Sequence, residues 1–183
     1  MRFLRGIALV FIFNTVLYAL CISIGFLNPS AVMSVQMLRR AYEEGIRSVE
    51  SVQPYSLSSF TALAYRQLSA VATSMAVAAI TVFSASVDLA MDALLRGVYL
   101  HSEFASSNSV DAVVDAAFQL GFEVPILIAS LSAAAALGIE LWRTLLFRRK
   151  PRLDRLLLFV QLIVLGIVVE TLYIPIIDVW LAP

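Results

Sequence analysis

The sequence predicts an all-α, polytopic transmembrane helix bundle forming a single domain. It has about five spans, at residues 6–27, 60–83, 84–100, 124–147 and 156–180, and one amphipathic extramembrane helix at 31–51. Three observations predict it: composition, the length of the uncharged runs, and the placement of basic residues. Of 183 residues, 61% are hydrophobic and 14% charged, with a mean hydropathy of +0.90; an average soluble domain carries roughly 25% charged residues. A water-soluble domain of this size cannot hide so much apolar surface, which nearly excludes a soluble enzyme. Thirteen basic residues cancel thirteen acidic ones, so no overall field recruits nucleic acid. The lone cysteine, Cys21, permits no intrachain disulfide and no Cys-based metal site.

The first span, Gly6 to Leu27, carries no charge. At about 1.5 Å per residue it is long enough to cross a hydrocarbon core of roughly 30 Å. Arg2 and Arg5 precede it as in a signal peptide. The run exceeds the usual h-region of about 7 to 15 residues and no small-x-small cleavage site follows, so a retained anchor is expected. Asn28, Pro29 and Ser30 end the span. From Ala31 to Ser51, Val35, Leu38, Tyr42, Ile46 and Val49 recur at helical spacing. The opposite face carries Arg39, Arg40, Glu43, Glu44, Arg47 and Glu50, which makes this helix the candidate partner surface.

Pro54 and the serines of 55–59 separate that helix from the second span, which is apolar except for Arg66 and Gln67 near its start. Ala70, Ser74 and Ala78 recur there at the interval that lets helix backbones approach closely in lipid. The third segment, Ser84 to Leu100, is punctuated by Asp88, Asp92 and Arg96, and is either a full span or a re-entrant one. His101 to Val110 reads as a Ser-rich loop, and Asp111 to Leu120 as a helix too short to cross. Pro125 opens the fourth span at a position where its missing N–H costs little. Ser130, Ala134 and Gly138 form a second small-residue seam, and Trp142 lies at the headgroup end. A fifth apolar segment follows, interrupted by Glu170 and Pro175.

Positive residues in short loops stay on the cytoplasmic side. Arg2 and Arg5 form one basic cluster, and the loop Arg148, Arg149, Lys150, Arg152 and Arg155 forms another. Five alternating spans place both inside; omitting 84–100 would put them on opposite faces. The expected topology in the cell membrane is therefore N-terminus cytoplasmic, with the amphipathic helix and C-terminus outside.

Each ionisable group within the bilayer costs roughly 2.5–3.5 kcal/mol to insert, so each needs a partner or a wet cavity. The candidate intramembrane polar network is Arg66, Asp88, Asp92, Arg96, Asn14, Glu123 and Glu170. The i, i+4 spacing brings Asp92 to Arg96, and antiparallel geometry favours Arg66 against Asp92. Glu140 precedes Arg143 by three residues, a pairing that suffices near the inner boundary. Glu170 has no partner in its own helix; the expected one is Asn14, which shares a face with Tyr18, Cys21 and Gly25. Such a stripe is either a proton or cation path or an ion-pair network joining helices. The sequence has no phosphate loop, H-E-x-x-H or G-x-S-x-G, and a single histidine, His101; no catalytic residue, metal site or cofactor is predicted.

The C-terminal half resembles the stage II sporulation protein M family of integral membrane proteins. The resemblance rests on Gly121-Phe-Glu123-Val-Pro125-Ile-Leu-Ile-Ala-Ser, on Gly138, Trp142 and Arg143, and on Val168-Val-Glu170-Thr-Leu-Tyr-Ile-Pro175. Arg96-Gly97 stands where the family has Asn-Gly, and Gln119-Leu120 where it has His-Gly. The resemblance implies a multi-span protein without catalysis of its own, which in spore formers anchors peptidoglycan-degrading enzymes at the membrane. The expected function is thus a non-catalytic scaffold whose partners are the lipid bilayer, other membrane or extracytoplasmic proteins, and further copies of itself. The rival is a transporter or channel subunit using the intramembrane Asp, Arg and Glu residues.

Overall fold

The computed structural model describes residues 2–50, 53, 55–106, 109–148, 150, 153–176 and 179. Every secondary-structure element among them is helical. Helix α1 (Arg2–Leu27) gives way at Asn28 to a short α2 (Pro29–Met33), with proline at its start, and then to α3 (Gln36–Glu50). The predicted single helix at 31–51 is therefore two, because the chain turns at Ser34 and Val35. Helix α4 (Leu57–Thr81) is capped by Ser56, whose hydroxyl accepts from the Ser59 N–H at 3.4 Å. It ends where Val82 takes a left-handed φ of 56° while its N–H bonds back to the Ala78 carbonyl.

Helix α5 (Ser84–Ser106) runs six residues past the predicted end of its segment, through most of the expected Ser-rich loop. Those serines do not break the helix because they bond back to it: Ser102 to the Tyr99 carbonyl and Ser106 to that of Ser102, both at 2.7 Å. The expected short helix at 111–120 is likewise not separate. Helix α6 (Ser109–Phe118), a π-helical segment (Gln119–Glu123) and α7 (Val124–Phe147) run on into one another, giving an apolar rod over Ala116–Phe147. Pro125 accounts for the π geometry. It has no N–H for the Gly121 carbonyl and its ring crowds that oxygen, so the hydrogen bonding slips and the Val124 N–H reaches the Gln119 carbonyl instead. The same device recurs after α8 (Leu153–Val168). A second π segment (Val169–Tyr173) precedes Pro175 in the terminal turn α9 (Ile174–Ile176).

Among the described residues, four helices are long and apolar enough to cross a membrane: Ala8–Leu27, Leu57–Thr81, Ala116–Phe147 and Arg155–Tyr173. The charged segment 84–100 is not among them. Its position is nonetheless informative, since α5 lies along α1 more extensively than any other helix pair packs. Asn14 meets Ser86, Tyr18 meets Asp92, and the Phe26 ring meets His101 edge-on at 5.6 Å. The two helices therefore run parallel at the same height. Gly25 and Gly97 permit their backbones to touch: a Cβ on either would collide with a carbonyl oxygen of the other helix, Leu94 for Gly25 and Ile22 for Gly97.

Helix α7 is the centre of the bundle, in contact with α1, α4, α5 and α8. Its seam behaves as expected: Ser130, Ala134 and Gly138 are all buried, with Gly138 against Ala79 of α4 and Ser130 against Gly166 of α8. Leu89, Leu131, Ala134 and Met75 fill the core between these helices. The outer side of α1 is bare, with Leu9, Ile12, Phe13, Val16, Leu20, Ile24 and Leu27 exposed, as hydrocarbon-facing side chains are. Trp142 closes the far end by donating to the Ile80 carbonyl at 2.7 Å, which satisfies an end group of α4.

Candidate functional site

Asp92, Arg96, Glu123 and Glu170 form a site where α5 meets the first π segment, with Tyr18 of α1 and the second π segment beside it. Arg96, on the inner face of α5, sits at its centre. Its Nε donates to Asp92 Oδ2 at 2.8 Å, one turn earlier on the same helix, and its Nη2 donates to Glu123 Oε1 at the end of the first π segment. Asp92 Oδ2 also accepts the Tyr18 hydroxyl of α1 at 2.7 Å. One guanidinium thus clasps α5 to the start of α7 through charge-assisted hydrogen bonds, the geometry in which arginine outperforms lysine, and Asp92 adds α1 through Tyr18. Beside the clasp, in the second π segment, lies Glu170, 5% exposed, with Glu123 as its foremost charged neighbour and Arg96 and Asp92 beyond. Glu170 Oε1 is buried and makes no hydrogen bond.

Both π segments therefore carry a carboxylate of this site, Glu123 as the last residue of the first and Glu170 as the second residue of the other. A π turn adds a residue to the helical circuit and re-aims the side chains that follow, which is why such segments concentrate at functional positions. Here each proline sets the turn and each turn carries an inward glutamate. Phe118 stacks on Phe122 and on Tyr173, whose own rings are tilted against each other with centroids 5.1 Å apart, and the three cover one flank.

Of the residues anticipated for a polar network, Asp92, Arg96, Glu123 and Glu170 come together. Asn14 is fully buried but one layer away, and the expected Asn14–Glu170 contact does not form. Its amide donates to Ser132 Oγ at 2.9 Å and accepts from Ser86 Oγ at 2.8 Å, tying α1 to α7 and α5. The anticipated Arg66–Asp92 pair does not form either: Arg66 lies on an exposed face of α4, while Asp92 is taken by Arg96 and Tyr18. Asp88 is half-buried on α5 and belongs to no ion pair among the described residues. Glu140 and Arg143 approach to 3.7 Å, as their spacing suggested. Tyr18, Ser86 and Ser132 are the members that sequence reasoning missed. Tyr18 was traceable, standing one turn after Asn14 on the same face.

On α3, Arg39 and Glu43 pair at 2.9 Å, which holds the Glu43 carboxyl below the usual carboxylate range, while Arg40, Glu44 and Arg47 are exposed. In the basic loop, Arg148 caps α7 in the left-handed conformation and Lys150 is exposed; Arg149 and Arg152 lie outside the described residues. No group of three or more His, Cys, Asp or Glu suited to a metal ion occurs among the described residues. Comparison with protein-family models, with curated proteins and with solved structures returns no match.

Proposed function

We propose that this chain is a non-catalytic, five-crossing membrane scaffold that holds α3 outside the bilayer as a docking rib for a partner protein. The observation that carries this reading is how α3 is seated. Its first two turns are seated on the bundle, where Leu38, flanked by Tyr42, packs with Val32 of α2 and Val98 of α5. Arg39, Arg40, Glu44 and Arg47 along the same helix are exposed. The seat is two residues from Arg96, so the ionic clasp braces the rib. Mixed charge of this kind supports recognition and orientation of a charged partner more than raw affinity.

Five crossings are supported by α5 lying parallel and level with α1, beside a helix long and apolar enough to span. That count puts the N-terminus and the basic loop inside and α3 outside, in keeping with the positive-inside rule. The motifs that resemble stage II sporulation protein M coincide with the two π-started segments, and this too supports an anchoring role. The test is quantitative co-purification from native membranes after cross-linking. The double charge reversal Arg39→Glu with Arg40→Glu is expected to reduce a partner's recovery about tenfold, equivalent to roughly 1.4 kcal/mol, without altering the yield of the protein itself. Equal recovery with both proteins would reject the rib as the docking surface.

A second reading, a transporter or channel subunit, is favoured by one observation, the unpartnered carboxylate oxygen of Glu170. Ion flux in proteoliposomes that disappears in Glu170→Gln and survives the α3 reversal would replace the scaffold with it.

A further inference from the structure

We infer that Glu170 is a proton-binding site: a carboxylic acid inside the bundle that carries a proton at neutral pH. This does not depend on the scaffold reading, which makes no use of Glu170.

Three observations on the site lead there. Counting charge, the single cation Arg96 faces Asp92, Glu123 and Glu170, and it contacts only the first two. The third carboxylate is thus surplus, and a surplus negative charge shut away from water is the arrangement that hydrocarbon surroundings tolerate least. In contact terms, Glu170 Oε1 is buried with no donor to meet it. A carboxylate normally satisfies each oxygen with N–H or O–H groups, whereas a protonated acid brings its own donor and leaves less to satisfy. In its surroundings, Arg96 is the one cation near Glu170 among the described residues. Helix α4, which packs on this π segment, has Tyr65 and Arg66 as its titratable groups, and both are exposed. Tyr173, in the same segment, is engaged in ring stacking, and Arg155 lies at the opposite end of α8. The foremost charged neighbour is another acid, Glu123. Neighbouring acids that outnumber the cation beside them form an arrangement in which a proton is retained on one member.

Gly97, next to Arg96, touches the Ile22 carbonyl of α1, which places the cluster in the half of the bundle nearer Leu27. Asp92, whose side chain is 32% exposed, is its least buried member. Binding is a simple protonation, with the proton taken from water and returned to it, and no bond other than O–H forms or breaks.

The experiment is infrared difference spectroscopy of the purified full-length protein in proteoliposomes at neutral pH, reading the carbonyl stretch of protonated carboxyl groups. Wild type is expected to show this band, to shift it to lower frequency in heavy water, and to shift it again when all glutamates carry carbon-13. Glu170→Gln should remove it, while Glu140→Gln, which alters the other buried glutamate with an unbonded oxygen, should leave it intact. The isotope arm needs no variant, so misfolding of Glu170→Gln would not shield the inference. Absence of the band in wild type, its insensitivity to labelled glutamate, or its persistence in a folded Glu170→Gln protein would each overturn the assignment. So would its disappearance when sodium replaces choline in the buffer, because the site would then hold sodium.

Discussion

Replacing Arg96 by leucine is expected to lower stability by about 3–5 kcal/mol, read as a large fall in thermal midpoint in detergent or by unfolding in bicelles. The substitution removes one side chain but strands two acids, Asp92 and Glu123, which meet no other cation among the described residues. It also leaves the Tyr18 hydroxyl bonded to an uncompensated carboxylate. Most of the cost is that stranding, so the triple change Arg96→Leu, Asp92→Asn and Glu123→Gln should recover much of it; buried ionic groups replaced together are often nearly neutral. Arg66→Leu is the contrast. It sits on an exposed face of α4 and should stay within about 0.5 kcal/mol of wild type. Equal behaviour of the Arg96 and Arg66 variants would show that the clasp holds nothing together.

Gly97→Leu is the second large effect. A Cβ there already collides with the Ile22 carbonyl and crowds the backbone of Gly25 and Phe26, so α1 and α5 must separate along their most extensive contact. Overpacking typically costs about 1–3 kcal/mol where side chains can yield; here the obstacle is backbone, and the upper end or beyond is expected. Separation would also draw Tyr18 from Asp92, coupling the seam to the clasp. Gly121→Ala is the control, since nothing lies within 4 Å of its added carbon. A thermal midpoint for Gly97→Leu matching that of Gly121→Ala would mean the helices are not in contact at this point.

The hydrophobic runs that made the spans legible come directly from the solvent: lipid demands length and apolarity, and both are countable in a sequence. Asp92 with Arg96 was equally legible because one helical turn joins them whatever else happens. Glu123 as the other partner of Arg96 was not, being 27 residues away and aimed by a π turn whose only local sign is Pro125. Arg66 was assigned a partner because it lies within an apolar window, but a window does not say which way a side chain points. The serines that end up on Asn14 look like packing residues until two helices bring their hydroxyls together. The loop at 101–110 failed for a related reason: serine counts as a helix breaker only until its hydroxyl finds a carbonyl one turn back.

The clasp also imposes an order on how the chain enters the membrane. Arg96 emerges from the ribosome before Glu123, and until the later residue follows, α5 carries its guanidinium with Asp92 as the only acid bonded to it. On the five-crossing topology proposed above, transfer of α5 from the insertion machinery into lipid is therefore more favourable once the beginning of α7 has been synthesised. On that topology the third and fourth crossings leave the translocon as a pair, while the first, with no ionic group from Gly6 to Leu27, goes alone.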